Sequence, residues 1–163
     1  MKQRSESELL HLAAAYCSAG ERCVAEVRRK LAAAGASPET AGRIVDRLLK
    51  ERFVDEARFC HSFVNDKFRF NQWGRLRIRY ELQRKGIASG TVAEALDGMD
   101  EEVYRSSLSD MLEKKKRTIR GSSERDVFLK LYRYACGRGY ESTLVAACLK
   151  PLFKEGYDVE DGI

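Results

Sequence analysis

The sequence of 163 residues predicts an all-α fold: three tandem three-helix repeats forming an elongated, curved body. Three observations predict it. Strand signals are almost absent, and proline occurs only at Pro38 and Pro151. Helix-capping residues and terminal glycines recur along the whole chain. A helix–glycine–helix pattern appears three times in one register.

The elements follow in order. Ser5-x-x-Glu8 is a capping box opening a helix over Leu9–Ala19, with Gly20 as its stop. Glu21–Ala34 carries Val24, Val27 and Leu31, and Gly35 closes it. Ser37 followed by Pro38 sets an N-cap before a proline at the first helical position. The helix it opens carries Ala41, Ile44, Val45, Leu48 and Leu49. Asp55 caps the next, which carries Phe59, Phe63 and Val64. Trp73–Lys85 ends at Gly86, a position where a helix C′ glycine takes φ > 0. Ser89–Leu96 is short, and Glu101 to about Ile119 is long. Ser122 or Ser123 caps a helix ending near Gly137, and Glu141–Lys150 is the ninth.

Aligning the glycine stops gives the repeat. Val27-x3-Leu31-x3-Gly35 matches Ile78-x3-Leu82-x3-Gly86, and Leu131-x3-Ala135-x3-Gly139 is the third copy. Each copy is followed by a helix with paired aliphatics: Ile44 and Leu48, Val92 and Leu96, Val145 and Leu149. The chain divides into repeats at 1–51, 52–99 and 100–154, with an acidic tail at 155–163. A unit of about 50 residues is near the lower limit for an independent core, so each repeat should lean on its neighbours. The middle repeat has the means. On its second helix Ile78 and Leu82 share one side, and Trp73, Leu76 and Tyr80 lie nearly opposite.

Composition and motifs exclude several classes. No apolar run reaches the length of about 20 residues that spans a bilayer, and the N-terminus leads straight into an amphipathic stretch. A cytoplasmic, monomeric protein is expected. Cys17, Cys23, Cys60, Cys136 and Cys148 form no CxxC pair and sit among apolar neighbours, so buried free thiols are expected rather than a zinc site or disulfides. Cys60 and His61 are adjacent, which on a helix points them about 100° apart, a poor nucleophile–base pair. Phosphate-loop, zincin and serine-hydrolase signatures do not occur. No catalytic, cofactor-binding or metal residues are expected.

The formal net charge of +5 is uneven. One basic run is Lys67, Arg69, Arg75, Arg77, Arg79, Arg84 and Lys85; another is Lys114, Lys115, Lys116 and Arg117, continued by Arg120 and Arg125. Such a face can contact phosphates or an acidic protein surface, and it can also simply be solvated. Phe68, Trp73 and Tyr80 read as mainly structural. Arg77 and Arg84 should point outward, while Arg75 and Arg79 flank the Ile78/Leu82 stripe and should snorkel beside it.

Two segments carry a family resemblance. Arg52-Phe53-Val54-Asp55-Glu56-Ala57-Arg58-Phe59, and then Gly74 through Ile78-x-x-Glu81-Leu82-x-x-Lys85-Gly86-Ile87, resemble the central signature of the RecX family. Arg138-Gly139-Tyr140 resembles its late Arg-Gly-aromatic element. Ala36 departs from the aromatic common after the first glycine, and Glu56 stands in for the second acid of the usual pair. The resemblance implies three three-helix repeats and a regulator, mainly an inhibitor, of the RecA recombinase in DNA repair, recombination and the SOS response. It implies a RecA–single-stranded-DNA filament as partner, with non-specific contact to single- or double-stranded DNA.

Two other readings remain open at this level. Paired helices joined at Gly35, Gly86 and Gly139 look like helix-turn-helix DNA binders, but the helices after them offer few base-reading residues beyond Thr91, Glu94, Ser142 and Thr143. A cysteine-nucleophile enzyme would require one rapidly reacting thiol.

Overall fold

A computed structural model describes residues 3–154 and 156–157. Most of the acidic tail, including Asp158, Glu160 and Asp161, lies outside the described residues, as does Glu155. Among the described residues there are nine α-helices and no strand. They are α1 (Glu6–Ser18), α2 (Val24–Ala33), α3 (Pro38–Lys50), α4 (Glu56–Asn71), α5 (Arg75–Arg84), α6 (Ser89–Asp97), α7 (Glu101–Thr118), α8 (Glu124–Gly137) and α9 (Ser142–Leu149).

Local caps set most boundaries. Ser5, Ser37, Asp100 and Ser123 each accept a hydrogen bond from the backbone N–H three residues on, as capping requires. Several starts differ from the sequence expectation, and α1 begins at Glu6, directly after its Ser5 cap, rather than at Leu9. The second helix begins at Val24 rather than Glu21, because Glu26 reaches back to accept from the Cys23 N–H at 3.1 Å. The fifth begins at Arg75 rather than Trp73. The Trp73 N–H turns back to the Lys67 carbonyl at 3.1 Å, and the Gly74 N–H leaves the helix for Arg138.

The chain forms two compact units. One comprises Met1–Asn65 and Glu81–Ala95, the other Asp66–Tyr80 and Leu96–Ile163, so the middle repeat contributes residues to both. In the first, Leu9, Val27, Leu31, Ile44, Val45 and Leu48 form the core. In the second, Tyr104, Leu108, Leu112, Phe128, Leu131, Tyr140, Val145 and Leu149 do so. Its aromatic members stack in sequence, with 5.7 Å between the Phe68 and Tyr104 ring centroids and 5.2 Å between Tyr104 and Tyr140. The repeat positions Leu31, Leu82 and Leu131 are all fully buried. Truncating any of them to alanine should cost about 2–5 kcal/mol.

The three repeat glycines make the same turn. Gly35, Gly86 and Gly139 have φ of 94°, 78° and 97°. In each, the glycine N–H bonds the carbonyl three residues back, and the next N–H bonds the carbonyl five back: Ala36 to Leu31, Ile87 to Leu82, Tyr140 to Ala135. This is the Schellman pattern, and only glycine enters that region without steric cost.

Candidate functional site

The third turn differs from the first two in what surrounds it. The Gly74 N–H donates to the Arg138 carbonyl at 2.8 Å, and the Leu76 N–H to the Gly139 carbonyl at 2.9 Å. Backbone meets backbone so closely that a Cβ on Gly74 would collide with Gly139 and the Tyr140 nitrogen. A Cβ on Gly139 would lie 2.6 Å from the Arg77 nitrogen. The Arg138 guanidinium then gathers the end of α4, donating to the Gln72 carbonyl at 3.2 Å and to the Asn71 carbonyl. Gln72 sits at φ 55°, a left-handed residue that stops α4 and turns the chain toward α5.

Below this joint is an ionic network. Arg75 donates to Glu141 Oε2 at 2.9 Å and to Glu101, and its guanidinium lies 3.8 Å from the Tyr104 ring centroid. The Arg75 N–H donates to the Tyr104 hydroxyl, which donates in turn to Glu141 Oε1. Burial pushes the Tyr104 hydroxyl well above the ordinary tyrosine range, and its hydrogen bond to Glu141 adds to that. Burial disfavours the Arg75 charge, but the bonds to Glu101 and Glu141 outweigh it and raise the pKa. The Arg75 hydrogen bond holds Glu101 below the usual carboxylate range.

The structure therefore sorts the basic residues singled out in the sequence. Arg75 is committed inside its unit, its side chain only 17% exposed. Lys116 donates to the Leu152 carbonyl and lies over the Phe153 ring. Lys85 pairs with Glu26 at 3.7 Å and Arg84 with Glu81 at 3.6 Å, both in the first unit. Arg79 is exposed, not tucked beside the Ile78/Leu82 stripe, whereas Arg77 and Arg84 do face outward. Arg69, Arg77, Arg79, Lys114, Lys115 and Arg117 have no carboxylate partner among the described residues. All of them lie in the second unit.

Aromatic side chains interleave with these cations. Arg77 lies 4.2 Å from the Trp73 ring centroid, Lys67 lies 5.0 Å from it, and Arg69 lies 5.6 Å from Phe70. Phe70 is 75% exposed, Tyr80 59% and Leu76 46%. Phe68 is structural, as its stacking on Tyr104 requires, whereas Tyr80 is largely exposed on the side of α5 opposite the buried Ile78 and Leu82. Two contributors escaped the sequence reading. The role of Arg138 in anchoring the α4–α5 connection is one, and the close contact of Gly74 with Gly139 is the other; the residues stand in the family-like segments, but their pairing across about 65 residues leaves no local signal.

Burial works against thiolate formation at four of the five cysteines. Burial, then the Glu56 charge, pushes Cys60 up to about 11, and burial raises Cys17, Cys23 and Cys136 as well. Among the described residues no three His, Cys, Asp or Glu side chains are grouped to hold a metal ion. No helix there is long and apolar enough to cross a membrane.

Comparison with known proteins places this geometry in a context. Residues 10–48 match the family model described as RecX, first three-helix domain, and residues 55–96 match RecX, second three-helix domain. Regulatory protein RecX of Clostridium botulinum (strain Alaska E43 / Type E3) is 30% identical over 138 residues, covering 83% of this chain and 62% of that protein. The chain thus spans about three fifths of the length of its clostridial relatives. Regulatory protein RecX of Prosthecochloris aestuarii is 28% identical over 152 residues, covering 93% of this chain and 98% of that one. The crystal structure of RecX from Lactobacillus salivarius superposes with a TM-score of 0.81 at 19% identity, covering 90% of this chain and 96% of that one. At that identity the last likeness establishes the fold.

Proposed function

The chain belongs to the RecX family, and on that premise we propose that it is a regulator, mainly an inhibitor, of the RecA recombinase in DNA repair and recombination. It binds the RecA–single-stranded-DNA filament in the cytoplasm, as a monomer and without a cofactor. The observation that carries the reading is the exposed surface of α4 and α5, where Arg69, Arg77 and Arg79 stand among Phe70, Leu76 and Tyr80 without carboxylate partners. Arginine recognises carboxylates and phosphates with the same planar fork. Tyrosine and arginine are the side chains enriched where protein interfaces concentrate their binding energy. The exposed Phe70 adds an aromatic side chain, a type enriched at interface cores, to this basic surface.

The test is direct. Added to RecA on single-stranded DNA, the protein should lower ATP hydrolysis and shorten the filaments as its concentration rises. Unchanged hydrolysis and filament length at saturating protein would contradict the reading.

A further inference from the structure

Beyond α9 the chain runs past a basic corner of the second unit. The Leu152 carbonyl accepts a hydrogen bond from the Lys116 ammonium, and the Phe153 ring centroid lies 4.4 Å from that ammonium. Tyr157 then packs back on the helices. Its ring centroid is 5.4 Å from that of Phe128 and 5.9 Å from that of Phe153, and its hydroxyl donates to Glu124 Oε2 at 3.2 Å. Tyr157 is thereby held against the first turns of α8, and Phe153 connects it to the last turn of α7 through Lys116. Asp158, Glu160 and Asp161 follow it directly in the sequence.

The corner carries cations that its own acids do not satisfy. Arg117 is in the last turn of α7, Arg120 in the connection after it and Arg125 in the first turn of α8, and all three are exposed. Arg117 borders the same shallow depression as Lys116 and Leu152. The Arg120 carbonyl accepts from the Lys130 ammonium at 2.8 Å, which brings that residue against α8. The nearby carboxylates on α8 are engaged. Glu124 accepts from Tyr157, and Asp126 accepts from the Ser122 N–H at 2.9 Å and pairs with Lys130 at 3.1 Å. Neither Arg117 nor Arg120 has a carboxylate partner among the described residues. Four residues of extended chain span about 13 Å, so the acids after Tyr157 have the reach to meet this corner.

We infer that Asp158, Glu160 and Asp161 lie across Arg117, Arg120 and Arg125 as an intramolecular strap, which an anionic partner must displace before it can use this corner. A single exposed ion pair contributes little. A segment tethered through Tyr157, however, meets the corner at a high effective concentration and loses no overall translational freedom on docking. The contact is electrostatic, so salt weakens it. It goes beyond the RecA reading, because it concerns how the chain shields its own charge whatever the anion.

Two measurements on the full chain test it. In the first, backbone amide resonances of isotope-labelled protein are compared between the wild type and Asp158→Asn/Glu160→Gln/Asp161→Asn. The resonances of residues 117–125 should shift, and rising salt should move the wild type toward the variant. Shifts confined to the neighbours of the three substitutions would overturn the proposal. In the second, binding of fluorescently labelled heparin, a polyanion probe, is followed by anisotropy at low salt. The tail variant should bind about fivefold more tightly than the wild type, the scale of a few exposed ion pairs, and the gain should fade as salt rises. Asp46→Asn/Glu94→Gln/Asp97→Asn removes equal charge from other exposed positions and should gain less than about twofold, the screened effect of net charge. In an Arg117→Gln/Arg120→Gln/Arg125→Gln background the tail substitutions should no longer change affinity. No gain in the tail variant, equal gains in the two acid-neutralised variants, or an undiminished gain in the arginine-substituted background would each overturn the strap. Neither measurement involves RecA, so a failed regulator reading and a failed strap give different results.

Discussion

The turns at Gly35 and Gly139 have the same hydrogen bonds and the same left-handed glycine, yet they do different work. Around Gly35 nothing lies within 4 Å of where a Cβ would be. At Gly139 the backbone of Arg77 fills that space, and Gly74 packs back against the turn. The first turn ends a helix. The third ends a helix and also fixes the α4–α5 connection, on which Trp73, Arg77 and the exposed aromatics are displayed. The same local motif thus serves as punctuation in one repeat and as a joint in another, and the second role depends on long-range packing.

Substitution at the two glycines should separate the roles most clearly. Gly35→Ala meets only backbone strain and should cost about 1 kcal/mol. Gly139→Ala adds a collision with backbone that cannot move aside, and should cost about 3 kcal/mol or more. Urea denaturation of both variants checks this, and equal costs would break the comparison. Gly86, where a Cβ also meets nothing within 4 Å, should behave like Gly35 when changed to alanine.

Ion pairs give the next contrast. Arg75→Met removes the largely buried cation that Glu101, Glu141 and the Tyr104 ring share, and should cost about 2 kcal/mol. Arg43→Met removes an exposed pair with Glu6 in the first unit and should leave the unfolding midpoint unchanged.

Another small effect at neutral pH belongs to Tyr140, which follows Gly139 as Ala36 follows Gly35. Its hydroxyl is buried and makes no hydrogen bond among the described residues, so Tyr140→Phe should change stability by less than about 0.5 kcal/mol. Burial pushes this hydroxyl up to about 12. A raised folded pKa gives a contribution present in full below the unfolded value near 10 and lost as the pH climbs through 12. Tyr140→Phe should therefore lose less stability than the wild type between pH 10 and 12, measured by urea midpoints across that range.

The nine helices were legible because most caps and stops are local: Ser5-x-x-Glu8, Ser37-Pro38 and the three repeat glycines announce themselves within a few residues. Gly86 at φ 78° follows from the helix it ends. What depends on distant segments was not legible. Trp73 reads as helical until the Arg138 carbonyl takes the Gly74 N–H, and Arg75 and Arg79 look equivalent until Glu101 and Glu141 claim only the first. Tyr80 reads as core because helical spacing locates a second apolar face without saying whether anything covers it.

On the proposed RecA-filament reading, the joint at Gly139 would present Arg69 and Arg77 to the filament. The most direct measurement is half-inhibition of RecA ATP hydrolysis on single-stranded DNA by folded Arg69→Glu/Arg77→Glu, beside Arg28→Glu/Arg29→Glu, over a salt series. The first variant should need about tenfold more protein, roughly 1.4 kcal/mol of lost binding, with a flatter salt dependence. The second should stay within twofold of the wild type. Inhibition by Arg69→Glu/Arg77→Glu at wild-type concentrations, with the wild-type salt dependence, would contradict it.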